Sequence, residues 1–207
     1  MNGGKLSMKS LNTLFNAGYG DKPANMEGYV LDSSISKARN KVYNNPETGQ
    51  TVVVHRGTKG AKDWLNNLAY AVGGEKMYKK THRYKDAKKV QSEAEKKYGT
   101  SELSTIGHSQ GGLQAEMLGK KGKETITYNK ASRPFTNNKI ASNQYDVRNK
   151  GDIISRMNPF QRYNKNEYNF NSKSSNPLEA HSTEALLKAP TDLMIGKNIV
   201  NINHKRI

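Results

Sequence analysis

Apolar positions are sparse along the chain, and they fall into short runs whose spacing switches between strand-like and helix-like periods. Thr51-Val52-Val53-Val54 is β-branched without alternation, the pattern of a strand buried on both faces. Before it, Lys41-Val42-Tyr43 and the turn Asn44–Gly49 complete a β-hairpin running to His55. A short helix is expected over 28–39, and a second over 61–71, where Trp64, Leu65, Leu68 and Ala69 share one face and Gly73-Gly74 ends it. From Tyr84 to Tyr98 an apolar stripe of Tyr84, Ala87, Val90 and Ala94 predicts a third helix, stopped by Gly99. Strands follow at Leu103–Ile106, Thr125–Tyr128 and Gln144–Val147, with a helix through Leu113, Met117 and Leu118 after the first of them. Beyond Pro159 the chain reads as a long polar loop, then a helix over 182–188 and a final strand over 195–202.

Strand and helix alternate, so the expected class is α/β, a mostly parallel sheet with helices on both faces. Residues 28–207 read as a single compact domain. Residues 1–27 are Gly-, Asn- and Ser-rich, and only Leu11, Leu14 and Phe15 suggest one amphipathic turn, so they read as a loose arm.

Composition narrows the picture. The chain has 207 residues, long enough for a core that needs no disulfide or metal, although only 33% are hydrophobic and the mean hydropathy is −0.91. The absence of cysteine excludes a disulfide framework, a thiolate nucleophile and Cys-ligated metal, and fits a reducing compartment. No apolar run approaches the roughly 18 residues of a membrane span, and the start lacks the apolar core of a secretory signal. A soluble, intracellular protein is expected. The net charge of +16 favours anionic partners such as a phospholipid surface or nucleic acid, but says nothing about a reaction.

The chemistry is carried by Gly107-His108-Ser109-Gln110-Gly111-Gly112. A Gly-x-Ser-x-Gly pattern alone is common. Here it follows a predicted strand and opens a predicted helix, the setting of a nucleophile elbow. The competing reading is a flexible Gly-Ser loop or an anion site at a helix start. A serine hydroxyl is a poor nucleophile at neutral pH, so a histidine must take its proton and a carboxylate must orient that histidine. Downstream of Ser109 stand only His181, placed in a loop before a short helix, and His204, in the basic tail where fraying is expected. His181 is the preferred base. For the acid, Asp152 lies in a loop just after a strand, whereas Asp146 lies within that strand and reads as a strand-edge salt bridge.

An oxyanion hole needs two donors, each worth about 3 kcal/mol. The Gln110 amide at the helix start is one candidate, and Thr58, just beyond the strand ending at His55, is the other. His108 adjoins the nucleophile, where packing is its default role, and with Trp64 it is assigned to the substrate-binding wall. His55 belongs to the strand and His82 to a basic surface loop. No histidine pair has metal-ligand spacing, so neither metal nor cofactor is expected.

Taken in order, Val54-His55-Arg56-Gly57-Thr58, Asp63-Trp64-Leu65-x-x-Leu68, the Gly-His-Ser-x-Gly-Gly segment and Asn149-x-x-Asp152-Ile153-Ile154, then His181, resemble class 3 lipases over residues 42–190. In small size and Lys/Asn richness the chain is most similar to lipase-like proteins of large DNA viruses and their satellites, which would put it in host cytoplasm or virion. The resemblance implies an α/β-hydrolase fold with a Ser109–Asp152–His181 triad. It also implies an oxyanion hole at Thr58 and Gln110, and a Trp64 helix acting as lid or pocket wall. Trp64 as plain core is the equal alternative.

The expected function is therefore hydrolysis of a lipid or phospholipid ester through an acyl-enzyme. From Lys76 to Lys97 nine Lys or Arg oppose three acids, a face suited to peripheral contact with anionic membrane, or simply to solubility. The alternative is a non-enzymatic basic protein holding nucleic acid or a virion component on a hydrolase scaffold. Charge supports it, but no aromatic-basic interleaving does.

Overall fold

The structure is a computed structural model, which describes residues 6, 8–20, 28–58, 74–131, 140–152, 155 and 164–189. Among these, seven strands form one sheet whose spatial order is the chain order. They are β1 (Val30–Leu31), β2 (Asn40–Asn44), β3 (Thr51–His55), β4 (Leu103–His108), β5 (Glu124–Tyr128), β6 (Gln144–Asn149) and β7 (Glu167–Phe170). The first two pairings are antiparallel and the rest parallel, so β3 to β7 all end on the same side of the sheet. A parallel sheet must be covered on both faces, and β3, β4 and β5 are buried at every residue.

The period-2 alternation of strand side chains separates two cores. Tyr43, Val52, Val54, Ile106, Ile126 and Tyr128 point to one face, and Val42, Val53 and Leu103 to the other. Helix α1 (Met8–Tyr19) covers the first face with Leu11, Leu14 and Phe15, each at most 1% exposed. This differs from the loose arm expected over 1–27. The i, i+3, i+4 spacing of those three residues is a full helical stripe, and the polar Asn12 beside it docks by donating to the Thr183 carbonyl at 2.9 Å. The second face is covered by α3 (His82–Tyr98), which buries the expected stripe of Tyr84, Ala87, Val90 and Ala94 and exposes lysines. A short helix, α2 (Gly74–Tyr78), precedes it, and α4 (Gln110–Leu118) follows β4 directly. This is the mostly parallel, doubly covered sheet of an α/β-hydrolase.

Several elements depart from expectation. The segment 28–39 is not a helix. It forms edge strand β1 and a turn in which Asp32 accepts from the backbone and hydroxyl of Ser34. The polar stretch after Pro159 contains β7, whose Tyr168 and Phe170 alternate into the first core while Glu167 faces Arg148. The expected helix over 182–188 is a 3-10 turn (Glu184–Lys188), and ahead of it α5 (Pro177–His181) is capped by Asn176, which accepts from the Leu178 amide at 2.9 Å. The helix expected over 61–71, with Trp64, and the strand expected over 195–202, with His204, lie outside the described residues.

Candidate functional site

The site is assembled where β4, β5 and β6 end. Between β4 and α4 the chain reverses so tightly that Ser109 is held at φ 57° and ψ −124°, a conformation that costs a non-glycine residue free energy. Its amide donates to the Tyr128 carbonyl at 3.1 Å, and its own carbonyl accepts from Ala131 at 2.9 Å, so β5 over-determines the strained turn. Two glycines make the turn sterically feasible. A Cβ on Gly107 would strike the Gly111 carbonyl, and one on Gly111 would strike the His55 carbonyl. The strand-turn-helix expected around Ser109 is thus present.

Asp152 follows β6 and is fully buried, and His181 closes α5, ahead of the 3-10 turn, rather than lying in a loop. The His181 Nε2 lies 2.9 Å from Ser109 Oγ, and its Nδ1 lies 2.9 Å from Asp152 Oδ2. A carboxylate only accepts, so Nδ1 carries the proton and Nε2 is left to accept from the serine hydroxyl. Residues from three elements, 72 and 29 positions from His181 in sequence, therefore form one hydrogen-bonded line. Asp146, the competing acid, is occupied elsewhere. It is not at a strand edge but buried inside the sheet, accepting from Thr127 at 2.6 Å and from Lys130 at 3.0 Å. Lys130 also donates to Glu116 at 2.5 Å.

Gln110 is the first residue of α4, so its amide precedes any turn that could accept from it. Thr58 lies just past β3, its hydroxyl 3.4 Å from Gln110 Oε1, so the two expected oxyanion donors belong to adjoining residues. Arg83, at the start of α3, braces this loop by donating to the Arg56 carbonyl at 2.7 Å and reaching the Thr58 hydroxyl at 3.5 Å. Burial lowers the pKa of Arg83, and the neighbouring cations Arg39 and Arg56 add to that effect.

His108, assigned to the substrate-binding wall, lies in the interior. It is 5% exposed, its Nε2 is 2.7 Å from the His181 carbonyl, and its Nδ1 is 2.7 Å from the Tyr19 hydroxyl. Burial, with the nearby His181, lowers its pKa to about 3, so it is neutral. His55 is likewise buried, bonded to Asn40 and Gln91, and lowered to about 4 chiefly by burial. His82 is exposed but begins α3 instead of sitting in a loop.

Sequence reasoning missed the residues that hold the histidine. Asn129, at φ 41°, donates to the Ala180 carbonyl at 3.0 Å, and Asn149 donates to the same oxygen at 2.8 Å. The Tyr128 hydroxyl donates to the Ser182 carbonyl at 3.0 Å. Their one local signal is position, since each lies at or just past the end of β5 or β6. Among the described residues no group of three or more His, Asp or Glu is placed to hold a metal ion.

The model of the Tle-like phospholipase domain matches residues 9–155, most of the chain. The chain belongs to that family. The match includes Ser109 and Asp152 and ends before His181, which is joined to them by the geometry above. Among solved structures the chain is similar to Lip2 lipase from Yarrowia lipolytica, with 14% identity and a TM-score of 0.47 over 74% of this chain and 75% of that one. It is also similar to a fungal lipase in an inhibitor complex described as a model for interfacial activation, with 12% identity and a TM-score of 0.47 over 73% of each. No curated protein matches the chain.

Proposed function

We propose that this Tle-like phospholipase-family chain hydrolyses carboxylic esters of lipids, with Ser109 as nucleophile, His181 as general base and Asp152 as the group that orients it. The observation that carries the reading is the single line Asp152–His181–Ser109, two contacts of 2.9 Å each, at a strained elbow. In the first half-reaction His181 Nε2 takes the Ser109 proton as Oγ bonds to the ester carbonyl carbon. The carbonyl oxygen becomes an oxyanion facing the amides of Gln110 and Thr58, with the Thr58 hydroxyl beside them. Collapse breaks the ester C–O bond. The imidazolium returns its proton to the departing alcohol, leaving an acyl-serine. Water then attacks that acyl carbon, giving its proton to His181, and the fatty acid leaves as Ser109 Oγ is reprotonated. Throughout, the buried carboxylate of Asp152 stabilises the imidazolium without being protonated itself.

Phospholipid is the favoured substrate class, since the family is phospholipase-like and the exposed side of α3 presents Lys85, Lys88, Lys89, Lys96 and Lys97 to any anionic surface. The test combines a fluorophosphonate with vesicles of phosphatidylglycerol and phosphatidylcholine. The expected result is covalent labelling at Ser109 and release of fatty acid with lysophospholipid, both lost in Ser109→Ala. Absence of labelling and of turnover in the wild-type chain sinks the reading.

A further inference from the structure

Three pieces of the site come from distant parts of the chain. The nucleophile follows β4, the base ends α5, and the oxyanion loop leaves β3. A single run of hydrogen bonds joins the second and third through Tyr19 of α1 and His108, the residue before the nucleophile. The Gly57 amide, next to Thr58, donates to the Tyr19 hydroxyl oxygen at 2.8 Å. The Tyr19 hydroxyl is 2.7 Å from His108 Nδ1, and His108 Nε2 is 2.7 Å from the His181 carbonyl oxygen.

The directions are dictated by chemistry. A carbonyl oxygen only accepts, so the His108 proton sits on Nε2. In the neutral ring Nδ1 must then accept, and the Tyr19 hydroxyl must donate to it. That leaves the Tyr19 oxygen lone pairs for the Gly57 amide. In the neutral ring every group has one satisfiable role, and no second tautomer uses all three contacts. The run is also shielded: Phe15 packs edge-on at 6.2 Å from His108, Tyr128 stacks at 5.2 Å, and the Tyr19 ring itself meets His108 at 5.7 Å. Burial raises the Tyr19 hydroxyl to about 12 and keeps His108 neutral, so neither partner changes charge near neutral pH.

We infer that Tyr19 and His108 are positioning residues that lock the oxyanion loop at Gly57 and the backbone of the base at His181 into one register around Ser109. The inference rests on the serine-hydrolase reading above, and it makes α1 part of the active site. Neither residue touches the reacting atoms. Their effect on rate comes from fixing the spacing between the groups that take the serine proton and those that receive the oxyanion, a spacing in which an ångström costs about 100-fold.

The test is Tyr19→Phe, which removes one oxygen and keeps the ring, compared with His108→Gln and His108→Leu. His108→Gln retains a donor for the His181 carbonyl, and His108→Leu retains only bulk. With a soluble chromogenic ester, kcat in Tyr19→Phe is expected to fall about 10- to 100-fold while KM stays within about twofold. His108→Gln should keep more kcat than His108→Leu. The Tyr19→Phe/His108→Gln double variant should lose less than the product of the two single losses, since both act through one run of bonds. Cooperative thermal unfolding above the assay temperature establishes that each variant is folded. Unchanged kcat in a folded Tyr19→Phe overturns the inference, as do a loss confined to KM and multiplicative losses in the double variant. If the wild-type chain neither turns over ester nor takes up fluorophosphonate, it is the hydrolase reading that has failed instead.

Discussion

Asn129 donates its side-chain amide to the carbonyl oxygen of Ala180, 3.0 Å away, from a left-handed backbone at φ 41°. Its side-chain oxygen accepts from the Asn149 amide at 2.8 Å, and the Asn149 side chain in turn donates to the same Ala180 carbonyl. Two buried asparagines at the ends of β5 and β6 thus hold the peptide immediately before the base, Asn129 from a backbone conformation that asparagine tolerates better than most residues.

Asn129→Ala should therefore leave the Asn149 amide without its acceptor and the Ala180 carbonyl short of one donor. A stability loss of about 1–3 kcal/mol is expected from urea unfolding, with a drop in kcat because His181 is less firmly seated. A variant as stable and as active as the wild type would contradict this account of the clamp.

Asp152→Asn tests the orientation of the base. The amide can present its NH2 to His181 Nδ1, which puts the imidazole proton on Nε2 and leaves nothing to accept from Ser109. Activity against a chromogenic ester should fall by about 10³- to 10⁴-fold, with the melting temperature little altered. Retention of most activity would remove Asp152 from the reaction.

Lys130 is a buried cation serving two buried carboxylates, Glu116 and Asp146. Burial pushes both carboxyl pKa values up, but the lysine and its hydrogen bonds outweigh burial and hold both below the ordinary range. Removing it in Lys130→Met strands two charges in the sheet face, and a loss of about 3–5 kcal/mol is expected at pH 7. A carboxyl group lowered on folding contributes stability above its unfolded pKa of about 4, and that contribution is lost as pH falls through the folded value. The gap between wild type and Lys130→Met should accordingly narrow in acid. A gap that widens on acidification would show that the carboxylates are not held ionised by Lys130.

The two buried imidazoles make a separate pH prediction. His55 and His108 are lowered to about 4 and about 3 on folding, from an unfolded value of about 6.5. Below pH 6.5 the unfolded chain binds protons that the folded chain refuses, so stability falls as pH drops from about 6.5 towards 4. The loss is of the order of 3 kcal/mol per imidazole at pH 4. His55→Asn should flatten this slope in urea-unfolding measurements made between pH 7 and pH 4. An unchanged slope would mean that His55 is not the proton acceptor.

Legibility differed by region for physical reasons. The hairpin at Asn40–His55 and the helix at His82–Tyr98 were readable because their apolar periods are local and their turns use Gly and Asn in the ordinary way. Strand β7 was not, because only Tyr168 and Phe170 alternate in a segment otherwise made of Asn, Glu and Lys, and burial against β6 supplies what local preference lacks. Helix α1 was obscured by the glycines and asparagines around it, and Asn12 and Asn16 prove to be docking groups for Thr183 rather than loop residues.

By itself, the sequence determined the α/β alternation and the elbow at Ser109, because each depends on neighbours within a few positions, and it offered Asp152 and His181 as candidates through their order along the chain. Only the tertiary structure decided that Tyr19 bonds His108, that Asn129 holds the carbonyl before His181, that His108 faces inward, and that Asp146 is tied to Lys130. Those assignments depend on which strand ends converge. Hydrogen-bond partners 16 to 89 positions apart leave no periodic trace in the chain, since a directional polar contact constrains distance in space and not spacing in sequence.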